Sequence, residues 1–143
     1  MSLIPAAVAA QRHAKDWEEA IRLVGQLYEQ TGIATSEYAS AMIQGVHDYG
    51  PYMVLAPGVA MPHAKTAAGV NSTGVVVVTL DEGVEFGSPA NDPVDVLISF
   101  AAADKHEHME NIQALAGVLG DQDFMTKIRA AENDDQLAAL FKH

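Results

Sequence analysis

The run GVVVVTL, residues 74–80, carries apolar and mostly β-branched side chains at nearly every position. Successive side chains of a strand point to opposite faces, so an unbroken apolar run predicts a strand that is covered on both faces. A second such run, VDVLISFAA at residues 94–102, predicts another strand. The polar segment between the two runs, DEGVEFGSPANDP at residues 81–93, is expected to be a long loop.

Two helical patterns precede these strands. Asp16 is expected to cap a first helix that stops at Gly32, and Thr35 or Ser36 is expected to open a second helix that closes at Gly50. The apolar stripes are Trp17, Ala20, Ile21, Val24, Leu27 and Tyr28 in the first helix, and Tyr38, Ala41, Met42 and Val46 in the second.

Three more helical segments end the chain: residues 105–119, a short one after Asp121, and one capped by Asn133. Helices at both ends with strands between them predict an α/β fold, a three-layer α/β/α sandwich around a small mixed β-sheet. The length suits a single domain over residues 1–143. One interpretation of residues 1–3, MSL, is a cloning remnant.

The composition excludes several classes of function. A net charge of -11 argues against binding nucleic acid, whose phosphates the protein would repel. The chain has no cysteine, which removes disulfides, thiol catalysis and zinc–thiolate sites and is typical of a cytoplasmic protein. No apolar run approaches the roughly 20 residues that span a bilayer. The nucleotide motifs GxxxxGK[ST] and GxGxxG are missing, and no cofactor is expected.

The segment LAPGVAMPHAK, residues 55–65, holds the first candidate functional residue, His63. Two short extended pieces are expected here, broken at the turn pair Pro57 and Gly58, and Pro62 further restricts the backbone. A rigid, partly exposed, neutral imidazole is a competent nucleophile near neutral pH, because its unperturbed pKa is about 6.5. Such a histidine could accept a phosphoryl group from another protein without any nucleotide site.

The segment HEH, residues 106–108, holds the second candidate. Asp104 and Glu107 resemble a capping box, so a helix should begin at Lys105. His108 then lies on the apolar face, whereas His106 falls on the solvent side. His108 is either a structural residue at the head of this stripe or a functional one at a strand-to-helix junction, where α/β sheets bind ligands. The stripe consists of Ile112, Leu115 and Leu119.

Several segments together resemble a known family. APGVAMPHA (56–64), GVEFG (83–87) and the long stretch from Asp92 to Asp121 are similar to the mannitol/fructose-type, or type 2, IIA component of the bacterial phosphoenolpyruvate-dependent sugar phosphotransferase system (PTS). The resemblance runs from about Asp16 to the end of the chain. The segment YASAMIQGVHDYGPYMVLAPGVAMPHA (38–64) is especially similar to the branch that serves L-ascorbate.

The resemblance implies a phosphotransferase that works as a phosphoryl carrier for uptake of a carbohydrate, here L-ascorbate. His63 would accept a phosphoryl group from the phosphocarrier protein HPr and pass it to a cysteine of the IIB component. A membrane IIC permease would take part indirectly. His108 would lie beside the phosphorylated nitrogen as its hydrogen-bond partner.

One position departs from the family pattern. Many mannitol and fructose members carry an arginine near the phosphate, and counting back from His63 without gaps puts that position at His47. A histidine can donate a hydrogen bond but carries no permanent charge. His47 is therefore a candidate supporting residue, with Thr66 and Ser99 as further hydroxyl candidates.

An apolar contact patch around His63 is expected to dock the partner proteins, and the negative net charge suits partners with a basic face. The candidates for this patch are Val59, Met61, Val84, Phe86 and Met109.

Two alternatives stay open at this point. One is a regulatory module of the same fold that senses phosphorylation without feeding a sugar. The other is a metal site, although histidines two positions apart do not share one face of a helix. The ligands of such a metal site would be His63, His106 and His108, with Asp104 or Asp48. The two remaining histidines near the termini, His13 and His143, are assigned no role.

Overall fold

The computed structural model describes residues 4–141, so the proposed cloning remnant at residues 1–3 and His143 lie outside it. The elements in chain order are β1 (Ala7–Arg12), α1 (Trp17–Thr31), α2 (Ser36–Tyr49), β2 (Val54–Ala56), β3 (Val59–Ala60), β4 (Gly74–Val84), β5 (Val94–Ala101), α3 (Lys105–Leu119), α4 (Gln122–Ala130) and α5 (Asp134–Ala139).

The strands form one mixed sheet in the order β1-β4-β5-β3-β2. β4 and β5 are antiparallel, while β1 runs parallel to β4 and β3 runs parallel to β5. β2 and β3 form an antiparallel hairpin at one edge. The two extended pieces expected around Pro57 and Gly58 are this hairpin.

Both faces of the sheet are covered by helices, as the valine run predicts. Val76 and Val78 of β4 belong to a core cluster with α1 and α2, and Val75 and Val77 belong to a second cluster with α3, α4 and α5. The alternation of β4 side chains therefore supplies both cores at once. The three-layer α/β/α sandwich is confirmed.

The predicted helix caps are present. The carboxylates of Asp16, Asp104 and Asp121 each accept a backbone N–H three residues on, and the side chain of Asn133 does the same. Thr35 opens α2. Gly32, at φ 75°, ends α1 in the left-handed region that glycine tolerates without a steric penalty.

Two features differ from the sequence-based expectation. β1 precedes the first helix, because the Ala-rich segment pairs with β4 even though alanine has little intrinsic preference for strands. β4 also continues to Val84, which pairs with Val94 beyond an irregularity in register. The first four residues of the predicted loop are therefore strand, and the loop is shorter.

Candidate functional site

The hairpin of β2 and β3 brings His63 to the end of the central strands. Val59 and Ala60 pair in parallel with Val96 and Leu97, so the chain leaving β3 runs alongside β5. Gly58, at φ 73°, makes the turn, and a Cβ there would lie 2.7 Å from a guanidinium nitrogen of Arg129.

Arg129 of α4 fixes this turn from the neighbouring layer. Its Nε lies 3.1 Å from a carboxylate oxygen of Asp95, and an NH2 group donates to the carbonyl of Pro57 at 3.2 Å. The hairpin that carries His63 is thereby tied to both β5 and α4.

A chain of buried hydroxyls holds the backbone just before His63. Ser99 of β5 is fully buried, and its Oγ donates to the carbonyl oxygen of Pro62 at 2.6 Å. The Tyr28 hydroxyl lies 2.7 Å from the same Oγ. Because the Ser99 proton is used on a carbonyl, which can only accept, Tyr28 must be the donor to Ser99.

Two further tyrosines hold the backbone at and after His63. The Tyr38 hydroxyl donates to the carbonyl of Phe100 at 2.8 Å and accepts the N–H of Ala64 at 3.2 Å. The Tyr52 hydroxyl donates to the carbonyl of His63 itself. Burial raises the pKa of Tyr38 and Tyr52 above the ordinary value, so both phenols remain protonated donors at neutral pH.

The imidazole of His63 is held in one orientation. Its Nδ1 lies 2.7 Å from the carbonyl oxygen of Met61, which can only accept, so Nδ1 carries the proton. The ring stacks on Phe100 with centroids 4.9 Å apart and planes 16° from parallel. In the neutral ring, Nε2 therefore carries the lone pair.

The electrostatic surroundings keep this ring neutral. Burial lowers the pKa of His63, and the nearby charges of His108 and Lys65 lower it further, whereas the hydrogen bond to Met61 acts in the opposite direction. The protein thus favours the form whose Nε2 can act as a nucleophile.

His108 lies beside His63, whereas His106 does not. The rings of His63 and His108 are 5.9 Å apart at 70°, and both contact the ring of Phe100. His106 is 83% exposed and pairs with Glu110 at 2.7 Å on the solvent side of α3. At the start of the helix, the Asp104 carboxylate already accepts the N–H of Glu107, so that donor is not available to a ligand.

A hollow of about 530 Å³ opens beside His108 and the segment that directly follows His63. Thr66 is exposed at its wall, where its hydroxyl is accessible to a ligand. Ser99 is not part of it, because this hydroxyl is buried and used on Pro62. Ser99 supports the loop of His63 through its hydrogen bond to Pro62. The hollow is lined by Tyr38, Ala64, Lys65, Thr66, Ala67, Ala102, Ala103, Asp104, Lys105, His108 and Met109.

His47 does not join this group. Its Nε2 lies 3.2 Å from a carboxylate oxygen of Glu18, and its ring packs edge-on against Trp17 of α1. Tyr49, two residues further along α2, is the residue near the site, since it contacts the ring of Tyr52. Residues two apart on a helix point about 200° apart, so His47 faces away. Counting back from His63 without gaps therefore led to a residue on the side of α2 that faces away from the site.

Four of the five predicted docking residues are buried. Val59 and Met61 lie in the core beside α4, and Val84 and Phe86 lie in the core beside α1, each at most 6% exposed. Pairing in the sheet turns Val59 and Val84 inward, while Met61 and Phe86 follow shortly after β3 and β4 and pack into the same two cores. Only Met109, at 54% exposed, remains available from that set.

Two exposed apolar residues were not predicted. Tyr49 is 62% exposed and Leu55 is 49% exposed, at the end of α2 and in β2. Tyr49 lies near the site through its contact with Tyr52, and Met109 lines the hollow. No periodicity marks Tyr49 or Leu55, because exposure at an element's end depends on what packs there.

The described part of the chain does not provide the ligand set that the alternative of a metal site requires. Among residues 4–141, no group of three or more His, Asp or Glu side chains is arranged to hold an ion. The reason at this site is that His106 and His108 leave opposite faces of α3. Within the same residues, no helix has both the length and the apolar character needed to cross a bilayer.

The comparison with known families decides the identity. A family model described as phosphoenolpyruvate-dependent sugar phosphotransferase system, EIIA 2, matches residues 2–143. The chain belongs to this EIIA family. A curated relative, the ascorbate-specific PTS system EIIA component of Escherichia coli strain K12, is 35% identical over 134 residues, which cover 93% of this chain and 87% of the relative.

Solved structures of EIIA proteins share the fold. The mannitol-specific cryptic phosphotransferase enzyme IIA of Escherichia coli is 33% identical, with a TM-score of 0.85 over 96% of this chain and 94% of that one. A IIA protein solved in complex with phosphorylated enzyme IIB for mannitol, also from Escherichia coli, is 29% identical, with a TM-score of 0.81 over 94% and 93%.

The EIIA protein described here is therefore a phosphotransferase and a phosphoryl carrier of a sugar phosphotransferase system. Sequence reasoning found both ring partners, His63 and His108, but missed the residues that hold them. Tyr28 and Tyr38 fall on the predicted helix stripes and Tyr52 was given no role, because a pattern does not reveal where a hydroxyl points.

Proposed function

We propose that His63 accepts the phosphoryl group on Nε2 from phospho-HPr and passes it to a cysteine of a IIB component. The observation that carries this assignment is the hydrogen bond from Nδ1 to the carbonyl of Met61, which leaves the Nε2 lone pair as the nucleophile. The lowered pKa of His63 keeps that lone pair unprotonated at neutral pH.

The step is a single displacement at phosphorus. The Nε2 lone pair forms the new N–P bond while the P–N bond to the donor histidine breaks, and that electron pair returns to the donor ring. The accepting ring gains positive charge and keeps its Nδ1–H, which the Met61 carbonyl stabilises. Such a transfer is catalysed mainly by positioning and electrostatics, so few residues are needed.

His108 acts in this proposal by donating a hydrogen bond to the phosphoryl group. Support comes from its ring, which lies 5.9 Å from that of His63 and shares the Phe100 contact. A hydrogen-bond donor this close to the His63 ring would stabilise the negative charge that accumulates on the phosphoryl oxygens.

The proposed substrate system is uptake of L-ascorbate by a single EIIA domain over residues 1–143. Support comes from curated relatives named ascorbate-specific at 35% identity. These relatives favour transport over a regulatory module. A membrane permease would take part only indirectly, because the proposed phosphoryl transfer runs from the EIIA protein to IIB and an EIIA protein contacts proteins and not the sugar.

Incubation with phosphoenolpyruvate, Enzyme I and HPr tests the proposal, followed by intact mass and mapping of the modified residue. We expect one acid-labile, base-stable phosphoryl group on His63, formed without nucleotide or metal. His63→Ala should accept none. His106→Ala is the matched control, because its ring is exposed and pairs with Glu110 on the solvent side of α3. Phosphorylation of His63→Ala at the parent rate would refute the assignment.

The role of His108 is tested in the onward step to IIB. His108→Gln keeps a donor and should be phosphorylated on His63 but transfer the group more slowly. His108→Ala should be slower still, by roughly 10²-fold, which is typical when one preorganised donor is lost. Rapid onward transfer by His108→Ala together with slow transfer by His106→Ala would reverse the two roles.

A further inference from the structure

A phosphoryl group on His63 brings negative charge into a protein whose net charge is already -11. A permanent cation next to the group would offset this cost, since charge-assisted hydrogen bonds to phosphate are among the strongest polar contacts. His47 does not supply it, because its ring is paired with Glu18 and Trp17.

Lys65, two residues after His63, is placed to supply this charge. Its ammonium Nζ lies 4.4 Å from the ring centroid of Tyr49 and 5.3 Å from that of Tyr52. The Tyr52 ring also packs edge-on against His63, with centroids 5.2 Å apart. The ammonium and the imidazole thus lie against the same aromatic ring.

The contacts that the Lys65 ammonium makes in this structure are weak enough to be exchanged for a contact with a phosphoryl oxygen. Its contacts with Tyr49 and Tyr52 are cation–π contacts at an exposed position, which are weaker than a hydrogen bond from an ammonium to a phosphoryl oxygen. The four-carbon stem is flexible, so the ammonium can exchange one contact for the other. Lys65 and His108 line the same hollow.

We propose that Lys65 binds the phosphoryl group on His63 and is the permanent positive charge of this site. Tyr49 and Tyr52 hold the ammonium until the phosphoryl group arrives. This inference rests on the proposed function of His63 and extends it to the residue that stabilises the product.

Another lysine on the hollow provides the matched comparison. Lys105 lines the same hollow from the first turn of α3, next to the carboxylate of Asp104. It has the same charge as Lys65 but is not on the tyrosine rings. A general effect of removing one positive charge would therefore appear equally in Lys105→Met and Lys65→Met.

The experiment measures the equilibrium between phospho-HPr and the phosphorylated EIIA protein for the parent, Lys65→Met, Lys65→Arg and Lys105→Met. Methionine keeps an apolar stem against Tyr49 and Tyr52 while removing the charge. An equilibrium constant between free species does not depend on how tightly the partners dock, so it separates phosphoryl stabilisation from docking. A ³¹P titration of the phosphorylated proteins gives the pKa of the phosphoryl group itself.

We expect Lys65→Met to lower the equilibrium constant for EIIA phosphorylation about tenfold and to raise the phosphoryl pKa, as loss of one charge-assisted contact predicts. The equilibrium constants of Lys65→Arg and Lys105→Met should both stay within about twofold of the parent value. That difference is well below the one expected from losing a charge-assisted contact. An unchanged equilibrium in Lys65→Met, or an equal fall in Lys105→Met, would overturn the role of Lys65. Failure of the parent to be phosphorylated on His63 would instead refute the underlying function.

Discussion

At the scale of single residues, the two nitrogens of His63 have different tasks. Nδ1 is fixed by the carbonyl of Met61, and Nε2 is left with the lone pair. The stack on Phe100 prevents the ring from turning to exchange them. One hydrogen bond to the residue's own loop thus selects the nitrogen that the proposed phosphoryl transfer would use.

The rate of phosphoryl acceptance should be insensitive to pH down to the ordinary histidine range. Burial lowers the pKa of His63, and the charges of His108 and Lys65 add to the effect. We expect the NMR titration midpoint of His63 to fall below about 6.5 and the acceptance rate to drop only below that pH. A midpoint at or above that value would contradict the electrostatic account.

The same shift makes stability depend on pH. Between the lowered pKa of folded His63 and about 6.5, the unfolded chain binds more protons than the folded one. The free energy of unfolding should therefore decrease as pH falls through this window. Urea unfolding of the parent and of His63→Gln at pH 7 and pH 5.5 measures it, and the decrease should be smaller in the variant.

At the scale of elements, β5 is the part that connects the core to the site. Ser99 supports Pro62, and the carbonyl and ring of Phe100 contact Tyr38 and His63. Helices α1 and α2 reach this strand through Tyr28 and Tyr38. The loop of His63 is therefore rigid because two layers hold it.

Ser99→Ala should destabilise the protein more than Tyr28→Phe. The alanine leaves both the Tyr28 hydroxyl and the Pro62 carbonyl without their partner, whereas Tyr28→Phe leaves the bond from Ser99 to Pro62 in place. We expect a loss of about 1–3 kcal/mol for Ser99→Ala in urea unfolding. An equal or larger loss for Tyr28→Phe would contradict the assigned donor directions.

Phe86→Asp should unfold the protein and not merely weaken docking. Phe86 is 4% exposed and packs against Trp17, so a charge there would be buried without a partner. We expect a loss of more than about 3 kcal/mol in the free energy of unfolding. Met109→Asp, at an exposed position of α3, is the control that should leave stability nearly unchanged.

At the scale of the whole molecule, the protein has a net charge of -11 and presents exposed apolar side chains at the site. Met109 and Tyr49 are exposed there, and Lys65 covers part of the tyrosine ring. Such an arrangement suits a partner that combines an apolar contact with a basic rim.

Transfer from phospho-HPr should slow as salt is added, because attraction between exposed charges is screened over about 10 Å at 0.1 M. Met109→Asp should slow it further by adding charge to the apolar contact, while the transfer equilibrium stays the same. Stopped-flow measurements at 50 and 500 mM salt give the transfer rates of the parent and of Met109→Asp. Rates indifferent to salt and to Met109→Asp would rule out this docking surface.

The sequence by itself determined the local features. The valine run gave a strand buried on both faces, Asp16 and Asp104 gave helix starts, and the Pro/Gly framing singled out His63. Each rests on physics within a few residues: side-chain alternation, capping and restricted φ angles. His108 followed from helical spacing once the start of α3 was set.

Only the tertiary structure decided what faces the site. β1 became a strand by pairing with β4, Phe86 was turned into the core against Trp17, and His47 was turned away to Glu18. The positions of Ser99 and Lys65 also depend on tertiary contacts. Ser99 binds Pro62, which is far away in sequence, and Lys65 lies on the ring of Tyr52 across a loop. Spacing along a chain fixes which side chains share a face, but what covers that face depends on how the layers pack.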